Sequence, residues 1–151
     1  MKKFLKLVVS AVIFSSVVAH TAYARDLDKS DPDRAQILAA VHRLNASDPN
    51  LKDNRYFVVD LVKDHEAAFA CVALAEKDGG LELTDDQAEI MTFVLAKRNA
   101  QWTAVALNGG GFAQGAKPVP SDCFAGGRIV NTRADIDAAL KATGHKPFAS
   151  H

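Results

Sequence analysis

Two runs of strand-forming residues that lie close together constrain the fold of this chain more than any other feature. The first run extends from Tyr56 to Lys63, and the second extends from Ala67 to Glu76. Only the polar stretch Lys63 to Glu66 separates them, and so short a connection joins antiparallel neighbours. The pattern therefore predicts a β-hairpin. Small residues on both faces of the second strand predict that this strand is central and closely covered.

A second pair of runs repeats this arrangement further along the chain. Ile90 to Ala96 and Trp102 to Leu107 flank the polar connector Lys97 to Gln101, which predicts a second hairpin. Between the two hairpins, Leu81 to Ala88 is compatible with either a polar loop or a single helical turn. After the second hairpin, Gly115 to Pro120 is predicted to be irregular chain.

Helical patterns lie on both sides of the two hairpins. Ser30 to Asp33 supplies an N-cap acceptor, a proline suited to the first helical turn and acidic side chains near the positive end of the helix dipole. This start predicts a helix of about fourteen residues that ends near Asn45. Near the C-terminus, Asn131 or Thr132 can cap a short helix that Gly144 ends. The apolar positions of the first helix are Ile37, Leu38, Val41 and Leu44.

This order of elements predicts an α+β fold. An N-terminal amphipathic helix packs on a curved four-stranded antiparallel sheet of two hairpins, and a long loop and a short C-terminal helix follow. Strict alternation along the first strand assigns its side chains to two faces. One face carries Phe57, Val59 and Leu61, and the other carries Tyr56, Val58, Asp60 and Val62.

The first two dozen residues have the pattern of a secretory signal. Three lysines precede an apolar run from Leu7 to Ala19, and Ala22-Tyr23-Ala24 has the small residues that signal peptidase recognises. The apolar run is shorter than the roughly twenty residues of a bilayer span. We therefore predict a cleaved signal peptide, residues 1–24, and one mature domain, residues 25–151, with an uncleaved anchor as the alternative.

The charge balance excludes one class of partner. The full chain carries 18 basic and 18 acidic side chains. Residues 1–24 contain three lysines and no acidic residue, so residues 25–151 carry 15 basic and 18 acidic side chains, a net charge of −3. A mildly acidic exported protein is not a basic nucleic-acid binder. The expected location is periplasmic or secreted, with no stable membrane insertion after cleavage.

The two cysteines, Cys71 and Cys123, both lie in the predicted mature part. An even number of cysteines in an exported chain predicts a disulfide bond. The alternatives are a catalytic thiol and a metal ligand. Apolar neighbours surround Cys71 in the sequence, and such surroundings raise a thiol pKa and leave the group inert. The bond would connect the loop around Cys123 to the second strand.

The familiar cofactor motifs fail on their details. The glycines from Gly109 to Gly111 follow a predicted strand, but Gln114 occupies the third glycine position of the dinucleotide fingerprint. Lys117 is followed by a proline and not by the serine or threonine of a phosphate-binding loop. The histidines lack the spacing of a helical metal pair. No cofactor and no metal are expected.

Three residues of the first hairpin are candidates for a binding site. Asp60 interrupts an apolar strand, and in a concave pocket burial would raise its pKa and suit it to acid–base chemistry. On an outer sheet face it would be an ordinary exposed residue. His65, between two acidic residues, could titrate near neutral pH or bind a metal, or could be a solvated turn residue. Tyr56 shares the predicted face of Asp60.

The sequence between Arg34 and Leu107 resembles a group of small exported bacterial proteins of the cystatin-like or nuclear-transport-factor-two-like α+β class. The resemblance rests on Arg55 to Leu61 and on Phe93 to Lys97, which leads through a polar turn to Gln101 to Val105. It implies a helix packed on a curved antiparallel sheet, in a family largely without assigned activity. It implies no functional residues.

These observations support two functional hypotheses. The first is an exported, non-enzymatic module that binds an envelope protein or a small ligand, as an inhibitor or an immunity-type partner does. Its surface would be the face that carries Tyr56 and Asp60, together with the loop Gly109 to Gly115. The alternative is a small cleft enzyme or ligand carrier that uses Asp60 and His65. A purely structural envelope role and the oligomeric state stay open.

Overall fold

The computed structural model of the chain describes residues 27–107 and 111–148. The signal peptide predicted at residues 1–24 lies outside the described residues. The fold is α+β, as predicted, with an α-helix on either side of a mainly antiparallel set of strands. The elements are α1 (Pro32–Asn45), β1 (Arg55–Asp64), β2 (Ala67–Ala75), β3 (Leu83–Thr84), β4 (Gln87–Arg98), β5 (Gln101–Ala106), β6 (Gly111–Phe112), β7 (Phe124–Ala125), β8 (Arg128–Ile129) and α2 (Arg133–Ala142).

Both helices begin at capping residues that the sequence predicted. The Asp31 carboxylate accepts a hydrogen bond from the Asp33 N–H at the start of α1, and Pro32 takes the first helical position. Thr132 caps α2 in a capping box with Asp135. Among the described residues, neither helix is long and apolar enough to cross a bilayer.

The two predicted hairpins form the centre of the sheet. β1 pairs with β2, β2 pairs with β4, and β4 pairs with β5, all antiparallel. β2 therefore lies inside the sheet, and each of its residues is buried, as its small side chains predicted.

The prediction of four strands was incomplete. The short strands β3 and β6 also pair with β4, so the sheet has six strands. The long loop predicted between the second hairpin and the C-terminal helix contains a separate two-stranded hairpin, β7–β8. The ambiguous segment Leu81 to Ala88 is neither a loop nor a helical turn throughout, because β3 and the start of β4 form a tight hairpin there.

The predicted alternation of side chains along β1 was wrong beyond Val58. Val58 pairs with Val72 but Asp60 pairs with Cys71, so Val59 is an extra residue in a β-bulge. A bulge of one residue reverses the alternation that follows it. Tyr56 and Val58 consequently lie on one face of the sheet, while Asp60 and Val62 lie on the other.

Both faces of the sheet are covered, so neither is the solvated outer face considered as an alternative for Asp60. On one side, the α1 face, the core includes Ile37 and Val41 of α1 and Leu95 of β4. On the opposite side, the α2 face, the core includes Ile136 and Leu140 of α2. The chain between β6 and α2 also packs on the α2 face, so the sheet lies between two apolar layers.

The turn between β4 and β5 gives a first prediction. Asn99 and Ala100 both have positive φ, at 50° and 62°. Asparagine tolerates this region, but the Cβ of alanine makes it unfavourable. We expect Ala100→Gly to raise the free energy of unfolding by roughly 0.5 to 1 kcal/mol in urea titrations. The control Ala106→Gly, at an exposed strand position without positive φ, should lower it; equal effects of the two substitutions would contradict this account.

Candidate functional site

Tyr56 lies partly buried under the C-terminal end of α1. Its hydroxyl accepts a 2.7 Å hydrogen bond from the side-chain amide of Asn45, and its ring centroid is 4.4 Å from that of His42. Burial raises the pKa of the Tyr56 hydroxyl, and burial lowers the pKa of His42. These contacts join α1 to β1, and Tyr56 is not a residue of an open sheet face.

Asp60 is buried on the α2 face of the sheet. It pairs with Cys71 of β2, which in turn pairs with Thr92 of β4. The three residues therefore form one row across the sheet, beside the disulfide bond that Cys71 makes. The bulge at Val59 places Asp60 on this face, and the alternative of an exposed outer face was wrong because Asp60 is buried and both faces of the sheet are covered.

His65 lies in the β1–β2 turn, where its side chain is 86% exposed. Its Nδ1 is 2.6 Å from Oδ1 of Asp64, and the other Asp64 oxygen accepts a 2.8 Å hydrogen bond from the backbone N–H of Arg133. Burial acts to raise the pKa of Asp64, but these hydrogen bonds hold it below its usual range. Asp60 is buried within β1, whereas His65 lies in the exposed turn after that strand. The structure therefore does not bring the two side chains into one cleft.

The prominent surface feature is the outer side of the β7–β8 hairpin. Phe124 and Ile129 are directly paired, so their side chains lie next to each other on one side of the two strands. They are 48% and 41% exposed. Four of the six large apolar side chains that are exposed among the described residues, Phe112, Val119, Phe124 and Ile129, belong to the chain between β5 and α2.

Several contacts hold this hairpin rigidly against the sheet. The disulfide bond Cys71–Cys123 fixes the residue directly before Phe124. The neighbouring side chains of Ala125 and Val130 are buried in the core of the α2 face. At the turn, Gly126 has a φ of 59°, and a Cβ there would lie only 2.7 Å from the Cβ of Ala142. The close approach to α2 therefore requires glycine at this position.

No protein-family model, curated protein or solved structure matches this chain. The resemblance to cystatin-like and nuclear-transport-factor-two-like proteins stays a prediction.

The hairpin surface combines apolar and basic chemistry. It presents an aromatic and an aliphatic side chain from a preformed backbone, beside the exposed Arg128. Such rigid apolar anchors lose little conformational entropy on binding. Among the described residues, no group of three or more histidine, cysteine or acidic side chains is placed to hold a metal ion.

The sequence contains a signal for this hairpin that the prediction of a long loop overlooked. Gly126-Gly127 stands between the pairs Phe124-Ala125 and Arg128-Ile129. A Gly-Gly pair between two short segments with strand-forming residues is typical of a two-residue hairpin turn. The many glycines and prolines upstream obscured it.

Proposed function

We propose that this chain is an exported, non-enzymatic binding module that docks on a protein partner in the cell envelope, in the manner of an inhibitor or immunity protein. The observation that supports the proposal is the exposed Phe124–Ile129 pair on a hairpin that a disulfide bond and α2 hold in place. Exposed apolar side chains on a rigid hairpin favour a protein partner over a small ligand, which requires a concave site.

The proposed location is the periplasm or the exterior of the cell. The disulfide bond between Cys71 and Cys123 is compatible with an oxidising compartment. The signal pattern of residues 1–24 leads to the same compartment.

The geometry does not favour the alternative of a cleft enzyme that uses Asp60 and His65. Catalytic acid–base pairs act on one substrate and must lie within hydrogen-bond reach of it. Asp60 is buried beside the disulfide bond, whereas His65 is solvated in a turn. The sheet face that carries Tyr56, which the sequence suggested as a binding surface, is also covered. The proposed docking surface is therefore the β7–β8 hairpin.

A site-specific cross-linking experiment tests the proposal. A photoreactive amino acid replaces Phe124 in the mature protein, residues 25–151, and the envelope fraction of the native cell is irradiated with it. We expect one discrete adduct with an envelope protein. The same substitution at Leu83, which is 45% exposed on β3, should give no such adduct. Phe124→Ser combined with Ile129→Ser should lower affinity for the captured protein by roughly a hundredfold, because both apolar anchors are lost.

The matched variant Leu83→Ser should leave that affinity unchanged. All variants are first compared by circular dichroism and by the absence of free thiols, which separates a lost contact from lost folding. Equal labelling from positions 83 and 124, or unchanged affinity in the double variant, would overturn the proposed docking surface.

A further inference from the structure

β5 is a sheet edge whose own residues lack the features that usually protect an edge against strand pairing. Among the described residues, its only strand partner is β4. Proteins commonly protect edge strands with charges, prolines or bulges. The sequence of β5, QWTAVA, has no charge and no proline, and its register with β4 is regular. The opposite edge, β1, carries a bulge, and its Leu61 carbonyl accepts a hydrogen bond from the Leu27 N–H.

The pairing with β4 shows which main-chain groups of β5 point away from the sheet. The Leu107 N–H donates to the Thr92 carbonyl of β4. Alternate residues of an antiparallel strand bond to the same neighbour, so Thr103 and Val105 also direct their N–H and C=O groups toward β4. Trp102, Ala104 and Ala106 therefore direct their N–H and C=O groups outward. Arg43 confirms this direction, because its guanidinium donates a 3.0 Å hydrogen bond to the Trp102 carbonyl.

A groove lies between this edge and α1. Two adjoining cavities, of about 440 Å³ and about 230 Å³, share the lining residues Arg43, Gln101 and Trp102. The helix wall is formed by small or uncharged residues apart from Arg43. Among the described residues, Arg43 is the only charged side chain that lines either cavity. The remaining lining residues are Gln36, Ala39, Ala40, Leu44, Ala100, Thr103 and Ala104.

We infer that this groove binds an extended segment of a partner protein, which adds as a strand to β5 and places a carboxylate at Arg43. The outward groups of Ala104 and Ala106 are complementary to another extended backbone. Arg43 uses one guanidinium nitrogen on the Trp102 carbonyl, and its other donors suit an acidic side chain or a chain-terminal carboxylate. The site is separate from the β7–β8 hairpin and does not depend on the function proposed for it.

Selection from a peptide library tests this inference on the mature protein. A phage-displayed library of random nine-residue peptides is selected on residues 25–151, and an enriched peptide is synthesised. We expect it to contain a carboxylate and to slow amide hydrogen exchange at Ala104 and Ala106. Ala104→Pro should weaken its binding by roughly tenfold or more, because proline removes an outward N–H but no hydrogen bond to β4. Arg43→Gln should weaken it by roughly fivefold.

Matched controls keep the outcome interpretable. Phe124→Ser leaves the groove intact and should bind the peptide with unchanged affinity, and the β4 amides of Ala104→Pro should retain their exchange protection. Selection that yields no binding peptide would overturn the inference. A peptide that binds Ala104→Pro as tightly as the wild type would overturn it as well. Protection of the Ala104 and Ala106 amides that increases with protein concentration in the absence of peptide would also overturn it, because it would identify a second copy of this chain as the occupant.

Discussion

Replacement of both Cys71 and Cys123 by alanine should lower the free energy of unfolding by about 4 kcal/mol. The bond closes a segment of 52 residues, and its loss returns that loop entropy to the unfolded chain. Both cysteines are fully buried in the core of the α2 face, so the substitution also removes packing there. Urea unfolding of the oxidised protein and of the double variant measures the difference.

The loss should not be uniform along the chain. The disulfide bond connects the chain between β6 and α2 to the centre of the sheet, so amides near Ala125 and Val130 should lose more exchange protection than those of β2. The reduced wild-type protein, which keeps both sulfur atoms, separates the effect of the bond from that of packing. A change below about 1 kcal/mol, well under the loop-entropy value, would contradict the account. Equal loss of protection in both regions would show that the bond does not hold the hairpin.

The sequence was sufficient to predict the elements whose physical causes are local. β1 and β2 follow from dense strand-forming runs around a short polar connector, and α1 follows from its cap and its period. The disulfide bond followed from the even number of cysteines, and it is confirmed between Cys71 and Cys123. Each of these signals lies within a few residues or in the composition, where single-sequence reasoning is strongest.

Features that depend on tertiary contacts were not predictable in the same way. The bulge at Val59 lies inside the run of strand-forming residues from Tyr56 to Lys63, which does not indicate where the alternation reverses. That one residue decided which of the two covered faces of the sheet carries Asp60. Coverage of the second sheet face depended on where α2 and the preceding chain pack. The candidate docking hairpin had a local signal at Gly126-Gly127, and Cys123 placed it next to the predicted disulfide bond, but its close approach to α2 at Ala142 had no signal in the sequence.

Asp33 illustrates a contact set that no spacing in the sequence indicates. Its Oδ1 accepts hydrogen bonds from Nζ of Lys97 at 2.7 Å and from Nε1 of Trp102 at 3.1 Å, and its Oδ2 is 3.0 Å from Nζ of Lys63. Lys63 also contacts Asp31, which caps α1. The network joins the start of α1 to β1, β4 and β5, and it fixes the indole that forms part of the groove. The side chain of Asp33 is only 14% exposed, so solvent screens these contacts weakly.

Asp33→Asn should therefore lower the free energy of unfolding at neutral pH by roughly 2 to 3 kcal/mol, because two lysines lose their shared counter-charge. The hydrogen bond from Lys97 is the largest cause that holds the pKa of Asp33 well below its ordinary value of 3.8, and those from Trp102 and Lys63 add to it against the effect of burial. A carboxyl with a depressed pKa stabilises the fold fully above its unfolded pKa. That stabilisation disappears as the pH falls toward the folded pKa. The stability difference between wild type and variant should thus be largest near neutrality and should decrease below about pH 4.

The control is Asp137→Asn, which removes a more exposed carboxylate from its pairing with Arg133 one helical turn away. A pair of this kind contributes only about 0.3 to 0.5 kcal/mol, so this variant should unfold almost like the wild type. Urea unfolding between pH 2 and pH 7 measures the stability of both variants, and NMR of the Asp33 carboxyl resonance follows its titration. The contribution of the disulfide bond, about 4 kcal/mol, does not change over this pH range. An Asp33→Asn effect as small as that of Asp137→Asn, or one that does not change with pH, would show that the network contributes no more than a solvated surface pair. In that case Trp102 and the groove beside it would be held by apolar packing alone.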